Sequence, residues 1–328
     1  MLTMSGLWIP LVTPFYHGEV DYPALQRLVH YYIDRDVDGL VVCGTTGEAL
    51  SLDLTEKEMV LRAVLETVAG RRPVLMGLSG SSTRAIAAEA TQYRTSGVAG
   101  FLLSAPSYVK PSQAGIVAHF GQVAHAADLP IVIYNIPART GVNMEPETIA
   151  AICTSDQFVG LKECGGLPQL LTLLANPPCP VLCGDDPLLL TALVHGAKGA
   201  ISASAHLYPE AFLSMIDFIR DGELEPARGI FNMLRPLIQL CFSEPNPGPV
   251  KAALAIQGMM HNELRLPMTQ VSGQCHAKIQ QALSMLETLK QRGDWNCHLC
   301  GTTHDETSLC LPEPLVTSPS FLPAVQRH

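Results

Sequence analysis

The residue with the clearest chemical promise is Lys162. Four uncharged residues, Phe158-Val159-Gly160-Leu161, lead directly into it, so its ammonium is expected at the rim of a packed interior. Desolvation lowers a lysine's pKa and supplies the neutral amine that attacks carbonyl carbon. A strand-end lysine that snorkels to water or pairs with Glu163 fits the same residues. Three further features carry polar groups suited to a keto acid. Thr45-Thr46, between Gly44 and Gly47, either offers hydroxyls and turn N–H groups to a carboxylate or is an ordinary turn. Tyr134 ends another apolar run, where a phenol either relays a proton or closes the interior with its ring. Arg139 stands between Pro137 and Gly141, as a fixed fork for a carboxylate or as a surface ion-pair partner. On one face of one fold, the four describe imine formation with a keto acid, followed by addition to a carbon electrophile.

One fold does put them on one face. Eight short apolar runs alternate with amphipathic stretches: Leu7–Val12, Gly39–Cys43, Pro73–Leu78, Gly100–Ser104, Pro130–Tyr134, Phe158–Lys162, Pro180–Cys183 and Gly199–Ser202. Brief apolar runs bounded by Gly and Pro read as buried parallel strands, joined by crossover helices. The expected fold class is α/β, a closed (β/α)8 TIM barrel over 1–222. An open doubly wound sheet would usually carry a Gly-rich loop after its first strand; here Val12-Thr13-Pro14-Phe15 follows instead. Barrel active sites lie at the C-terminal ends of the strands. Strand two ends in the Gly44–Gly47 turn, strand five in Tyr134, strand six in Lys162 and strand seven in Gly184-Asp185-Asp186. No His, Asp and Glu cluster with metal-ligand spacing occupies these ends. Beyond Asp221 the alternation stops. Glu225–Phe242, interrupted at Pro236, Val250–Met260 and Gly273–Arg292 form a C-terminal helical region over 223–292. The Pro-, Ser- and Thr-containing tail over 293–328 lacks apolar periodicity and reads as a disordered extension.

Composition narrows the function classes. Hydrophobic residues make up 47% of the 328 residues and charged residues 16%, enough for a large core and unlike a disordered chain. The formal net charge of −9 argues against a nucleic-acid partner. No run approaches the ~18 apolar residues of a membrane span, and Met1–Pro14 lacks the basic start of a signal peptide. Cysteines scattered through apolar runs, among them Cys43, Cys153, Cys183 and Cys241, suit reduced thiols, so a cytoplasmic location is expected.

At Gly44-Thr45-Thr46-Gly47-Glu48, Tyr134-Asn135-Ile136-Pro137-Ala138-Arg139-Thr140-Gly141 and Gly160-Leu161-Lys162-Glu163 the chain resembles the dihydrodipicolinate synthase / N-acetylneuraminate lyase superfamily. Pro111-Ser112-Gln113, Gly184-Asp185-Asp186, Glu244-Pro245-Asn246-Pro247 and Leu264-Arg265-Leu266-Pro267-Met268 extend the resemblance from about Leu7 to Leu289. Arg139 places it on the synthase branch, since the sugar-acid lyases usually lack an arginine there. The resemblance implies a lyase that condenses pyruvate with aspartate semialdehyde on the route to diaminopimelate and lysine. Lys162 would form the Schiff base. Tyr134, Thr45 and Tyr108, the last donated by a neighbouring subunit, would relay protons. Thr46 and its turn would hold the pyruvate carboxylate, Arg139 that of the semialdehyde, and Gly184 and Ile201 would line the site. It further implies a homo-oligomer, commonly a dimer of dimers, and no metal or organic cofactor.

Ser107, Cys164 and the tail depart from the family pattern. So do Ser81, Ala85 and Leu54, which with Ser107 occupy the positions where many relatives bind inhibitory lysine; feedback inhibition is therefore not expected. The nearest rival activity is a pyruvate-dependent aldolase of a 2-keto-3-deoxy sugar acid or N-acetylneuraminate type. A rival of another class, a non-catalytic binding barrel, requires loss of a catalytic residue, and none is lost. In the tail, Cys297, Cys300, His304 and Cys310 give C-x2-C-x3-H-x5-C, a weak match to a four-ligand zinc site that the composition does not favour.

Overall fold

The structure is a computed structural model that describes residues 2–291. The tail over 293–328, with its Cys/His spacing, lies outside the described residues. Among the described residues, ten strands are present: β1 (Gly6–Pro10), β2 (Phe15–Tyr16), β3 (Glu19–Val20), β4 (Gly39–Val42), β5 (Val74–Leu78), β6 (Gly100–Ser104), β7 (Ile131–Asn135), β8 (Phe158–Glu163), β9 (Val181–Cys183) and β10 (Gly199–Ile201). β2 and β3 form a small antiparallel hairpin, and the other eight close into a barrel in the order β1-β10-β9-β8-β7-β6-β5-β4, every pair parallel. All eight apolar runs are therefore barrel strands. The helices on the outside are α1 (Tyr22–Ile33), α2 (Leu54–Val68), α3 (Thr83–Tyr93), α4 (Gln113–Ala127), the short α5 (Pro137–Thr140), α6 (Pro146–Ile152), α7 (Leu167–Ala175), α8 (Leu189–Val194) and α9 (Pro209–Arg220).

Two apolar layers result. Outward-facing strand residues and the inner faces of the helices form one continuous core, exemplified by Ile9, Val42, Ile133, Leu28 and Phe120. Inward-facing residues fill the barrel: Met4, Trp8, Val41, Leu75, Leu102, Val132, Leu182 and Ile201 are all nearly inaccessible. The interior is thus packed, and only its C-terminal rim is free for polar groups. The helix starts follow local chemistry. Ser82 and Ser112 cap α3 and α4 through their hydroxyls, and Asp53 with Glu56 closes a reciprocal capping box on α2.

Three helices follow the barrel: α10 (Leu224–Cys241), α11 (Gly248–Ile256) and α12 (Gly273–Gln291). The expected break at Pro236 does not occur; α10 runs through it. Its apolar stripe, Ala227, Ile230, Leu234, Leu237, Ile238 and Cys241, keeps one face buried on both sides of the proline, and that burial outweighs the lost backbone bond. Among the described residues, no helix is long and apolar enough to cross a membrane.

Candidate active site

Strand register brings the reactive side chains together. Tyr134 on β7 lies directly opposite Lys162 on β8, and Lys162 opposite Leu182 on β9. A slip between Ile131 and Val132, which pair with Phe158 and Gly160, leaves Val159 unmatched. The slip puts Lys162 on the same inward face as Tyr134, because a one-residue shift exchanges the two faces of a strand. The Lys162 Nζ sits 4.4 Å from the centre of the Tyr134 ring. Among the described residues, no carboxylate pairs with it directly. Burial pushes its pKa below the ordinary lysine value; the Cys164, Asp186 and Cys183 side chains oppose that shift, and Arg139 adds to it. Tyr134 is buried and its phenol is held well above the usual value, chiefly by desolvation. The Cys164 thiol beside it adds to that rise, and the Thr45 hydroxyl opposes it.

These groups open into a cavity of about 510 Å3 at the C-terminal rim, lined by Thr45, Thr46, Tyr134, Ile136, Ala138, Arg139, Lys162, Cys164, Gly184, Asp185, Ile201 and Ala203, and by Phe242 to Asn246. Seven of the eight residues singled out in the sequence are here: Lys162, Tyr134, Thr45, Thr46, Arg139, Gly184 and Ile201. Gly184 is needed for space. A Cβ there would lie 2.5 Å from the Cys164 Sγ and 2.7 Å from the Lys162 Cε, closer than real Cβ contacts, so any side chain would displace the lysine. The eighth, Tyr108, does not reach the cavity of its own chain. It is 90% exposed on the loop after β6 and has φ +71°. Hydrogen bonds from the Ser107 and Tyr108 N–H groups to the Gly80 and Thr140 carbonyls hold that loop. Another depression of similar size, beside Gly70, Arg72 and Gly97, lies at the opposite end of the barrel without convergent reactive groups. Among the described residues, no group of three or more His, Cys, Asp or Glu is placed to hold a metal ion.

The Gly44–Gly47 turn is strained and braced. Cys43 and Glu48, which flank it, both have positive φ (+51° and +53°), a conformation costing about 1–2 kcal/mol for a residue with a Cβ. The brace comes from far along the chain. The Lys251 ammonium on α11 bonds the Glu48 carboxylate and the Glu263 carbonyl, and the Arg265 N–H donates to the other Glu48 oxygen. Lys251 and Glu48 are both buried, and desolvation brings the lysine down to about 8. The Thr13 hydroxyl donates to the Gly47 carbonyl at 2.7 Å. Close backbone packing completes the brace: a Cβ on Gly77 would meet the Cys43 carbonyl oxygen at 2.4 Å.

The C-terminal helical region also closes the cavity. The Asn246 amide donates to the Thr46 hydroxyl at 3.1 Å, and the Arg139 guanidinium donates to the Asn246 carbonyl at 3.1 Å. Arg139 itself rides on the short helix α5. Sequence reasoning missed the roles of Phe242 to Asn246, Cys164, Lys251 and Glu48. A usable signal existed for Lys251, a lysine inside the apolar run Pro249-Val250-Lys251-Ala252-Ala253-Leu254. That is the same pattern that singled out Lys162.

A model of the Dihydrodipicolinate synthetase family matches residues 3–286. A 4-hydroxy-tetrahydrodipicolinate synthase of Methanococcus maripaludis is 40% identical over 290 residues, covering 88% of this chain and all of the relative. The crystal structure of dihydrodipicolinate synthase from Aquifex aeolicus superposes with a TM-score of 0.84 at 35% identity, covering 87% of this chain and 98% of the other. The chloride-inhibited dihydrodipicolinate synthase from Acinetobacter baumannii, crystallised with pyruvate, superposes with a TM-score of 0.83 at 31% identity, covering 86% and 98%.

Proposed function

We infer the chemistry of this site from one premise: the chain belongs to the dihydrodipicolinate synthetase family. It is a lyase that condenses pyruvate with L-aspartate 4-semialdehyde to give 4-hydroxy-tetrahydrodipicolinate, a step of lysine biosynthesis. The observation that carries the residue assignment is the Lys162–Tyr134 pair, matched across β7 and β8 with the lysine's pKa depressed by burial.

The Lys162 amine attacks C2 of pyruvate, and the carbinolamine then loses water to give the imine. The depressed pKa raises the fraction of free amine at neutral pH, as nucleophilic lysines require. The Tyr134 phenol gives a proton to the leaving hydroxyl and recovers one through the neighbouring Thr45 hydroxyl, which lines the same cavity. The raised pKa keeps the phenol protonated, and so holding a proton to give, at neutral pH. Thr46 and the N–H groups of the braced turn hold the pyruvate carboxylate. Loss of a C3 proton gives the enamine, whose C3 attacks the aldehyde carbon. Arg139, beside Asn246 at the cavity edge, takes the carboxylate of the second substrate, and Gly184 and Ile201 line the same cavity. Tyr108 of one subunit completes the relay of its neighbour, so the working unit is at least a dimer and commonly a pair of dimers. The enzyme acts in the cytoplasm.

Trapping and substrate selection together test this reading. Borohydride reduction with pyruvate should leave a reduced three-carbon acid on Lys162, and among a panel of aldehydes aspartate semialdehyde should consume pyruvate fastest. An unlabelled Lys162 sinks the mechanism. A labelled lysine with preference for a sugar aldehyde would move the assignment to a sugar-acid aldolase.

A further inference from the structure

At the end of the barrel away from the cavity, two cysteines meet. Cys153 is the C-terminal cap of α6 and Cys179 lies in Pro177-Pro178-Cys179-Pro180, just before β9. Their sulfurs are 3.2 Å apart, in hydrogen-bond contact. Neither is fully buried, whereas Cys43, Cys183, Cys241 and Cys275 are. We propose that Cys153 and Cys179 form an oxidisable dithiol, a modification site that closes to a disulfide on exchange with a low-molecular-weight disulfide such as oxidised glutathione.

Geometry makes closure cheap. Bonded sulfurs sit at about 2.0 Å, so the pair must approach by about 1 Å from its present 3.2 Å, within reach of side-chain rotation. The flanking prolines already restrict the Cys179 segment, so little additional chain entropy is lost. Either thiol can begin the exchange. As the thiolate, it displaces one glutathione thiolate and forms a mixed disulfide. The other thiol, already in contact at 3.2 Å, then loses its proton to solvent, attacks the sulfur of the first and displaces the second glutathione. Two protein thiols and one glutathione disulfide become one protein disulfide and two glutathione thiols.

The span between the two cysteines, 26 residues apart, contains β8 with Lys162 and the whole of α7. Closure ties the ends of the segment that carries Lys162, at a point remote from the cavity. It should act on stability and leave the chemistry unchanged. For a loop of this length the expected rise in melting temperature is about 3–6 °C.

The full chain incubated with oxidised glutathione, digested and mapped by mass spectrometry should yield a Cys153–Cys179 cross-linked peptide. The melting temperature should rise, with unchanged turnover of pyruvate. In Cys179→Ser and in Cys153→Ser the second step is removed, so glutathione should remain on the surviving cysteine as a mixed disulfide, with no cross-linked peptide and no melting shift. The mapped peptide of the unsubstituted chain decides the matter even if a variant folds poorly. A Cys153 peptide left free while other thiols react, or one paired with a cysteine other than Cys179, overturns the proposal.

Discussion

Adjacent residues on β8 face opposite sides of the strand, and Lys162 and Glu163 lie at that division. Lys162 points into the cavity. Glu163 points outward into a buried polar knot, where the Gly165 N–H, the Asn135 amide (3.0 Å) and the Gln169 amide (3.4 Å) donate to it. Among the described residues no cation pairs with it, and burial outweighs those donors and lifts its pKa to about 7. The sign of the linkage follows. A carboxyl near 7 in the fold and near 4.5 unfolded gives stability that is present below about 4.5 and lost as the pH rises through 7. The effect is at most about 3 kcal/mol. Melting temperatures of the enzyme and of Glu163→Gln, compared at pH 5 and pH 8, should show the larger fall for the unsubstituted chain. An equal fall in both would place the titration elsewhere. Arg139 gives a second expectation at this scale. It is partly exposed at the cavity edge, so losing its contact to a substrate carboxylate should cost about 2 kcal/mol, or ~30-fold in kcat/KM for the aldehyde. Arg139→Ala should still trap pyruvate with borohydride. If pyruvate trapping collapses and aldehyde use survives, the two carboxylate sites are exchanged.

At the scale of elements, the C-terminal helices back the Gly44–Gly47 turn at the cavity rim. Lys251 on α11 neutralises Glu48, and Glu48 holds the Gly44–Gly47 turn with its two positive-φ flanks. Removing one member of a buried ion pair leaves the other uncompensated and costs about 3–5 kcal/mol. Glu48→Ala should therefore lower the melting temperature and also weaken pyruvate saturation, because the turn loses its anchor. The double variant Glu48→Ala/Lys251→Met removes the stranded charge. It should regain most of the stability and little of the pyruvate affinity. Recovery of both would mean that the pair serves packing alone. The same elements show what a sequence reveals. The eight strands were legible because Gly and Pro punctuate each short apolar run. Lys162, Tyr134 and Thr45 were legible because they end such runs. The contribution of Asn246 and Lys251 was not, since their partners Thr46 and Glu48 are 200 and 203 residues away, and periodicity reports only on neighbours. The continuity of α10 through Pro236 was hidden for a related reason: the burial that sustains it comes from other elements.

For the whole molecule, the loop end around the cavity points to association. Tyr108 is 90% exposed, with Val109 and Leu54 at 55% and 57%, and Tyr108 is held in a left-handed conformation by backbone bonds from its own chain. An exposed aromatic side chain of this kind is what a second copy docked here would bury. Near it, the Ser81 hydroxyl donates to the Ser107 carbonyl at 2.8 Å, and neither side chain brings a charge. Ala85 adds none. A lysine zwitterion buried there would leave its ammonium unpaired at a cost of several kcal/mol; about 4 kcal/mol is roughly a thousandfold in affinity. Titrating lysine into the pyruvate and aspartate semialdehyde assay should give no half-inhibition below about a millimolar, and inhibition in that range would show a lysine site built from other groups.

A donated Tyr108 has a quantitative signature. If each site combines Lys162 of one subunit with Tyr108 of its neighbour, neither Tyr108→Phe nor Lys162→Ala alone gives a complete site. A hybrid dimer with one subunit of each kind differs. The subunit that keeps Lys162 receives an intact Tyr108 from its partner, and its site is whole. The other site lacks both groups. Random reassortment of equal amounts makes about half of the dimers hybrid, each with one good site of two, so about a quarter of full activity should return. Because all contacts outside the two substituted side chains are unchanged, the recovered sites should have the pyruvate KM of the unsubstituted enzyme, and only their number should be reduced. Hybrid formation is verified independently by giving the two subunits different masses and weighing the assembly. Confirmed hybrids with no recovered activity would mean that every site is completed within one chain, and that the exposed tyrosine serves only the contact between subunits.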